Sequence, residues 1–267
     1  MCIPWLKKFF LQAGEPEVET PENGENEPVI IEQPEEDTGV TVSVPIIEEP
    51  IIVEPMKKPY EDKDFHILLD NGHASSTPGK RQQLGNGKYF YEWKFNREIV
   101  ARIAAKLDEL GIKYEILVPE NDVDIALSAR AARANSCCTK YGTDKCFFIS
   151  VHSNAYGDGV TFTNAKGWSV WTTKGTTPSD KYATIFFEEA EKLLPDYGMT
   201  TRNDMQDGDP DYEENFTVIY KTWCPAVLTE NMFFTNKEEV AWLMTDEGKD
   251  VIAEIHVNGI KRIIDGL

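Results

Sequence analysis

The sequence predicts an α/β domain with a mostly parallel, twisted central sheet of about six strands and helices on both faces. From about Asp64 onward, short apolar runs alternate with segments of helical periodicity, a pattern typical of α/β domains. The apolar runs are nearly continuous, which suits strands covered on both faces of a sheet. The chain has 267 residues, enough for one sizeable domain with an appendage or for two small ones.

The predicted elements follow one another from residue 66 to residue 264. Apolar runs predict strands at residues 66–70, 114–118, 145–151, 167–173, 216–220 and 226–229. Helical spacing predicts helices at residues 92–110, 126–136, 180–194, 236–244 and 246–264, with Gly111 ending the first of them. Residues 61–267 are therefore expected to form one folded, enzyme-sized domain.

Residues 1–60 have a different composition and predict an acidic tail or linker rich in Pro and Glu. They hold thirteen acidic residues and four lysines, and the prolines interrupt any continuous helix. An extended, largely disordered state is expected, although part of the tail could pair as a strand. Residues 2–12, which include Trp5, Phe9 and Phe10, could be a short helix that docks on a protein partner or an unstructured terminus.

Charge and hydropathy exclude several classes of protein. Acidic residues number 46 against 27 basic ones, and this excess disfavours nucleic acid or an anionic membrane surface as the main partner. No apolar run of about 18 residues is present, so no transmembrane segment is expected. The first residues lack the apolar core and cleavage site of a signal peptide, so cytoplasmic accumulation before release, or non-standard export, is expected.

The five cysteines form no C-x-x-C pair and are too few for a disulfide scaffold. They are expected to be mostly reduced. Cys137, Cys138 and Cys146 could be proposed as a metal cluster, but their spacing matches no zinc motif and favours simple packing.

Two of the four histidines stand where predicted strands end. His73 follows the first strand and His152 follows the third, and ligands bind beyond the carboxyl ends of strands in open α/β sheets. Glu92, the first residue of a predicted helix, could add a third ligand, although the helix dipole also favours Glu there. Two His and one Glu leave the fourth zinc position open for water, as in a catalytic site.

Glu230 ends the last predicted strand and is a candidate general base. A carboxylate held near a metal-bound water can take its proton during attack and return it to the leaving group. The alternatives are a helix cap or a surface charge.

Five motifs together resemble the zinc-dependent N-acetylmuramoyl-L-alanine amidases, in order, over about residues 64–265. They are DNGH at 70–73, YEW at 91–93, LSAR at 127–130, ISVHSNA at 149–155 and PAVLTEN at 225–231. The resemblance implies that His73, Glu92 and His152 bind Zn²⁺ and that Glu230 is the catalytic glutamate. It implies hydrolysis of the amide between N-acetylmuramic acid and L-alanine in peptidoglycan, by a phage-type endolysin or a bacterial wall hydrolase. Ala74 departs from the family, which usually has Gly there.

Two further residues are candidates for substrate binding. Asn154 could orient the substrate, but an Asn at a strand end is often a turn former. Arg130 matches a recurrent Arg of the family, but it could equally pair with an acidic neighbour. Two other functions stay open: a zinc peptidase acting on wall peptides, although H-E-x-x-H is absent, and a non-catalytic wall-binding module.

Overall fold

The structure is a computed structural model that describes residues 57–267. Its eight strands are β1 (His66–Asn71), β2 (Arg81–Gly85), β3 (Lys88–Tyr91), β4 (Lys113–Ile116), β5 (Cys146–Asn154), β6 (Ser169–Thr172), β7 (Tyr212–Glu213) and β8 (Ala226–Phe233). Its six α-helices are α1 (Glu92–Leu110), α2 (Leu127–Tyr141), α3 (Pro178–Leu193), α4 (Thr217–Tyr220), α5 (Lys237–Leu243) and α6 (Asp246–Asp265).

Six strands form the central sheet in the order β4-β1-β5-β8-β6-β7. All neighbours are parallel except β6 and β8, which are antiparallel. The predicted fold class, a mostly parallel sheet of about six strands, is therefore confirmed. β2 and β3 form a separate antiparallel hairpin, which the sequence pattern did not predict.

The sheet is covered on both faces. On one face, α1, α3 and α6 pack against alternate residues of β1 and β5 and form the larger core, which includes Leu69, Ile149 and Phe186. On the other face, α2 and α4 cover Leu68 and Phe148. Both β1 and the first six residues of β5 are fully buried, which explains why their sequences are continuously apolar instead of alternating.

One predicted strand was wrong. Residues 216–220 were expected to be extended, but Thr217–Tyr220 is a short helix whose Val218 and Ile219 are buried beside α2. An apolar run of five residues suits either a buried strand or one buried helical turn, and periodicity cannot separate the two. Two other predicted strands are longer than expected, because β5 continues two residues past His152 and β8 continues to Phe233.

The cysteines of the described region pack in the core. Cys138, Cys146 and Cys224 are buried as free thiols in the hydrophobic cluster on the α2 face. Burial raises the pKa of the Cys146 thiol to about 12, so it is protonated at neutral pH and a poor nucleophile.

The predicted tail lies mostly outside the described residues. Of residues 1–60, only 57–60 are described, and Tyr60 contacts the domain: its N–H donates to the carbonyl of Leu110 at 2.9 Å and its hydroxyl donates to Asp265 at 3.2 Å. No helix within residues 57–267 is long and apolar enough to cross a bilayer.

Candidate metal centre

β1 and β5 bring His73 and His152 together. The two strands are parallel neighbours with Asn71 opposite Val151, so their carboxyl ends reach the same edge of the sheet. His73 follows β1 by two residues, whereas His152 lies within β5 near its end. Their rings meet edge to face with centroids 4.8 Å apart.

The backbone around His73 is shaped for this contact. His73 has φ 62°, in the left-handed region that non-glycine residues seldom adopt. At Gly72, an added Cβ would lie 2.3 Å from the ring of His152. Only glycine therefore lets the His152 ring lie against this turn, which gives the Gly of the DNGH motif a steric reason.

Glu92 completes the group from the first turn of α1. Its side chain is buried, and its Oε1 lies 3.0 Å from Nδ1 of His152 and 3.3 Å from Nε2 of His73. Among residues 57–267 this is the one group of three or more His, Cys, Asp or Glu side chains whose ligand atoms could hold a metal ion, and those atoms lie within 4.8 Å of one another.

The electrostatics of the group suit a cation. Burial alone raises the pKa of Glu92, but its contacts with His152 and His73 outweigh burial and hold the pKa well below its ordinary value. Burial lowers the pKa of His152, which favours the neutral imidazole that metals require. Glu92 Oε2 and His73 Nε2 are buried and have no hydrogen-bond partner. A buried oxygen and a buried nitrogen without hydrogen-bond partners can each offer a lone pair to a divalent metal. Two His and one Glu are a ligand set that catalytic zinc uses.

Glu230 lies directly beside His152, because the two residues are opposite each other in the β5–β8 register. Its Oε2 is buried without a partner. Burial, and then the charge of Glu92, raise the pKa of Glu230 well above its ordinary value, while Lys80 and Arg202 act in the opposite direction. A carboxylate adjacent to the three possible ligands has the position and chemistry of a proton carrier.

Arg130 is buried next to this centre and pairs with an acidic neighbour. Its guanidinium donates to Asp70 at 2.8 Å and to the carbonyls of Asn71 and Ile125 at 2.6 and 2.7 Å. Asp70 also accepts from the hydroxyl of Ser150 at 2.6 Å. These bonds anchor the end of β1, from which the His73 turn departs. A direct role of Arg130 in substrate binding stays a prediction.

Asn154, the other candidate, ends β5 and uses its side chain locally. Its Oδ1 accepts from the N–H of Ala155 at 2.8 Å, as in a turn former. Substrate binding by Asn154 also stays a prediction.

The sequence pattern did not single out three residues that hold the turn and strands in place. Asn96 donates to the carbonyl of Gly72 at 3.1 Å, and Arg97 donates to the carbonyl of His73 at 2.9 Å. Asn231 donates to the carbonyl of His152 at 2.8 Å and accepts from the indole of Trp168. A signal existed for Asn96, since it is a polar residue one turn after Glu92 on the apolar face of α1.

Comparison with known proteins gives the family. The family described as N-acetylmuramoyl-L-alanine amidase matches residues 67–262, which include His73, Glu92, His152 and Glu230. The chain belongs to the N-acetylmuramoyl-L-alanine amidase family. The predicted family is thereby confirmed.

Individual relatives come from phage and from bacteria. The chain is 28% identical to an endolysin of Bacillus phage SPP1 over 74% of its own length and 66% of that protein. It is 29% identical to the N-acetylmuramoyl-L-alanine amidase CwlM of Bacillus licheniformis over 73% of its length and 67% of that protein. The chain thus spans about two thirds of the length of these curated relatives.

A solved amidase has the same fold. The N-acetylmuramoyl-L-alanine amidase of Clostridium difficile 630 matches with a TM-score of 0.61 and 26% identity, covering 75% of this chain and 97% of that one. The match supports the predicted α/β fold class.

Proposed function

We propose that the protein hydrolyses the amide bond between N-acetylmuramic acid and L-alanine in peptidoglycan, using a zinc ion held by His73, Glu92 and His152. The observation that carries the proposal is the convergence of these three side chains within 4.8 Å, inside the segment that matches the amidase family. The protein would act on the cell wall, as a phage-type lysin or a bacterial wall hydrolase.

Zinc, when bound, supplies Lewis-acid chemistry: it polarises a carbonyl and lowers the pKa of water to near neutrality. Glu230 takes the proton from the attacking water and later gives it to the L-alanine amine as the C–N bond breaks. The pKa of Glu230 is raised by burial, and a raised pKa makes the ionised carboxylate a stronger proton acceptor. Burial of Glu92 and of the Oε2 atom of Glu230 limits the screening of these charges by bulk water.

The test is product analysis with purified sacculi, with and without a chelator. We expect release of stem peptides with a free L-alanine amino terminus, and loss of release when the metal is removed. Cleavage within the stem peptide would indicate a zinc peptidase, and binding to sacculi without any released peptide would indicate a wall-binding module. Either outcome would contradict the proposal.

A further inference from the structure

A cavity of about 250 Å³ lies between residues 75–81, which follow the His73 turn, and the start of α1. Its walls contain two adjacent cationic side chains, two aromatic rings and no carboxylate. The lining residues are Ser75, Ser76, Thr77, Pro78, Gly79, Lys80, Arg81, Tyr91 and Trp93. We call it the Lys80 pocket.

The Lys80 pocket adjoins the centre at Lys80, which contacts Glu92. Tyr91 and Trp93, on either side of Glu92 in the sequence, both line it. The carbonyl of Lys80 accepts from the N–H of Glu92 at 3.0 Å, and Nζ of Lys80 lies 3.9 Å from Oε2 of Glu92. If a substrate has its scissile bond at the centre and one end in this pocket, that end lies near the side chains of Lys80 and Arg81.

The positive charge of the pocket is not neutralised by the surrounding protein. Among residues 57–267, Arg81 has no ion pair, and the ion-pair partner of Lys80 is Glu92, a residue that we assign to the metal. Arg81 is held over the ring of Tyr89 with 5.2 Å between guanidinium carbon and ring centroid. In a chain with net charge −19, these two adjacent cations produce a local positive field that attracts an anion.

We propose that the Lys80 pocket binds the free α-carboxylate of the second residue of the stem peptide. The protein then prefers stem peptides with D-glutamate at this position over stem peptides in which the α-carboxylate is amidated. The inference rests on the proposed function and names the substrate class of the same site. In a muramoyl peptide this carboxylate lies about 7 Å from the scissile carbonyl, two backbone units away. The sugars on the other side of the scissile bond are uncharged. An anion-binding pocket therefore suits the peptide side of the substrate.

The experiment compares two substrates that differ in one group. They are muramoyl peptides with D-glutamate or D-isoglutamine at the second position, and kcat and KM are measured with the zinc-loaded full chain. We expect the acid form to have a kcat/KM about tenfold higher, chiefly through a lower KM, as suits one charge-assisted hydrogen bond. Lys80→Met and Arg81→Gln should each reduce this ratio.

Lys88→Met is the matched control, since Lys88 is an exposed lysine of the same hairpin that does not line the pocket. It should keep the wild-type ratio, and zinc content is measured for every variant. Equal cleavage of both substrates by the wild type would overturn the inference and leave the proposed function intact. An unchanged ratio in Lys80→Met and Arg81→Gln would also overturn it. Cleavage of neither substrate by the zinc-loaded protein would overturn the proposed function and the inference with it.

Discussion

The side chains of His73 and His152 each contribute one nitrogen to a group of three possible metal ligands. We expect His73→Ala or His152→Ala to abolish zinc retention and wall hydrolysis, because a site with three protein ligands loses its coordination sphere when one is removed. Zinc content after dialysis checks this. His66→Ala is the control: His66 lies at the opposite end of β1, stacked on Tyr141, and should leave zinc content unchanged. Full zinc occupancy in either ligand variant would contradict the assignment.

Glu230 should respond differently from the ligands. Glu230→Gln removes the proton carrier but not a metal donor, so zinc should be retained while turnover falls by about 100-fold or more. The measurement pairs zinc content with the initial rate on a defined muramoyl peptide. Near-normal turnover would place the base elsewhere.

Gly72 offers a test of the turn itself. In Gly72→Ala the new methyl group would meet the His152 ring at 2.3 Å, a distance that forces either the ring or the turn to move. We expect zinc affinity to fall by about tenfold or more, the size of effect seen when residues that orient ligands are lost. Titration with a competing chelator measures it, and the melting temperature of the apo protein reports whether the fold is kept. Unchanged affinity would show that the ring has room.

At the scale of elements, pairing between neighbouring strands brings together side chains that lie far apart in the sequence. The β5–β8 register puts Glu230 opposite His152 and shifts just beyond it. Within this irregular part of β8, Met232 has φ 65° and is fully buried. Left-handed backbone at a bulky residue is held only by its surroundings, and here the strand continues beyond it to Phe233.

The β6–β7 edge of the sheet contains a pH-dependent contact. Asp211, just before β7, is buried and accepts from the hydroxyl of Thr172 at the end of β6. Burial, and then the neighbouring carboxyl of Asp209, raise the pKa of Asp211 to about 8. The folded protein therefore keeps a proton that the unfolded chain releases above about pH 4, so stability from this group is lost as the pH rises from about 4 to about 8.

Asp211→Asn should remove the loss of stability with rising pH, because an amide, like the protonated carboxyl, is uncharged. We expect its melting temperature to exceed that of the wild type by about 2 °C or more at pH 8, with the difference shrinking toward pH 4. Asp207→Asn, an exposed change in the same loop, serves as control. A difference that does not depend on pH would contradict the raised pKa.

At the scale of the whole molecule, the predicted tail can be separated from the domain by truncation. The acidic, proline-rich composition of residues 1–56 predicts that this part of the tail does not fold alone. A fragment of residues 57–267 should therefore keep the melting temperature and the amidase rate of the full chain. Removal of residues 57–60 as well should lower the melting temperature, because Tyr60 bonds to the ends of α1 and α6. Thermal melts of both fragments decide this, and a large loss of stability in the longer one would overturn the tail prediction.

The amino-acid sequence by itself determined the fold class and the α1 boundaries, and it singled out the residues of the candidate site. Continuous apolar runs mark strands buried on both faces, Gly111 ends α1 in the left-handed region as expected, and the polar residues after the strands are visible as exceptions to an apolar pattern. These are local signals, set by the chain within a few residues.

Only the tertiary structure decided how those residues meet. Strand order and register placed Glu230 beside His152. Residues 217–220 form a helix that packs beside α2, and the Lys80 pocket lies between residues 75–81 and the start of α1. The partners of Asn96, Arg97 and Asn231 are likewise distant in sequence. Contacts between segments depend on which surfaces pack together, and short-range propensity and periodicity do not encode this choice.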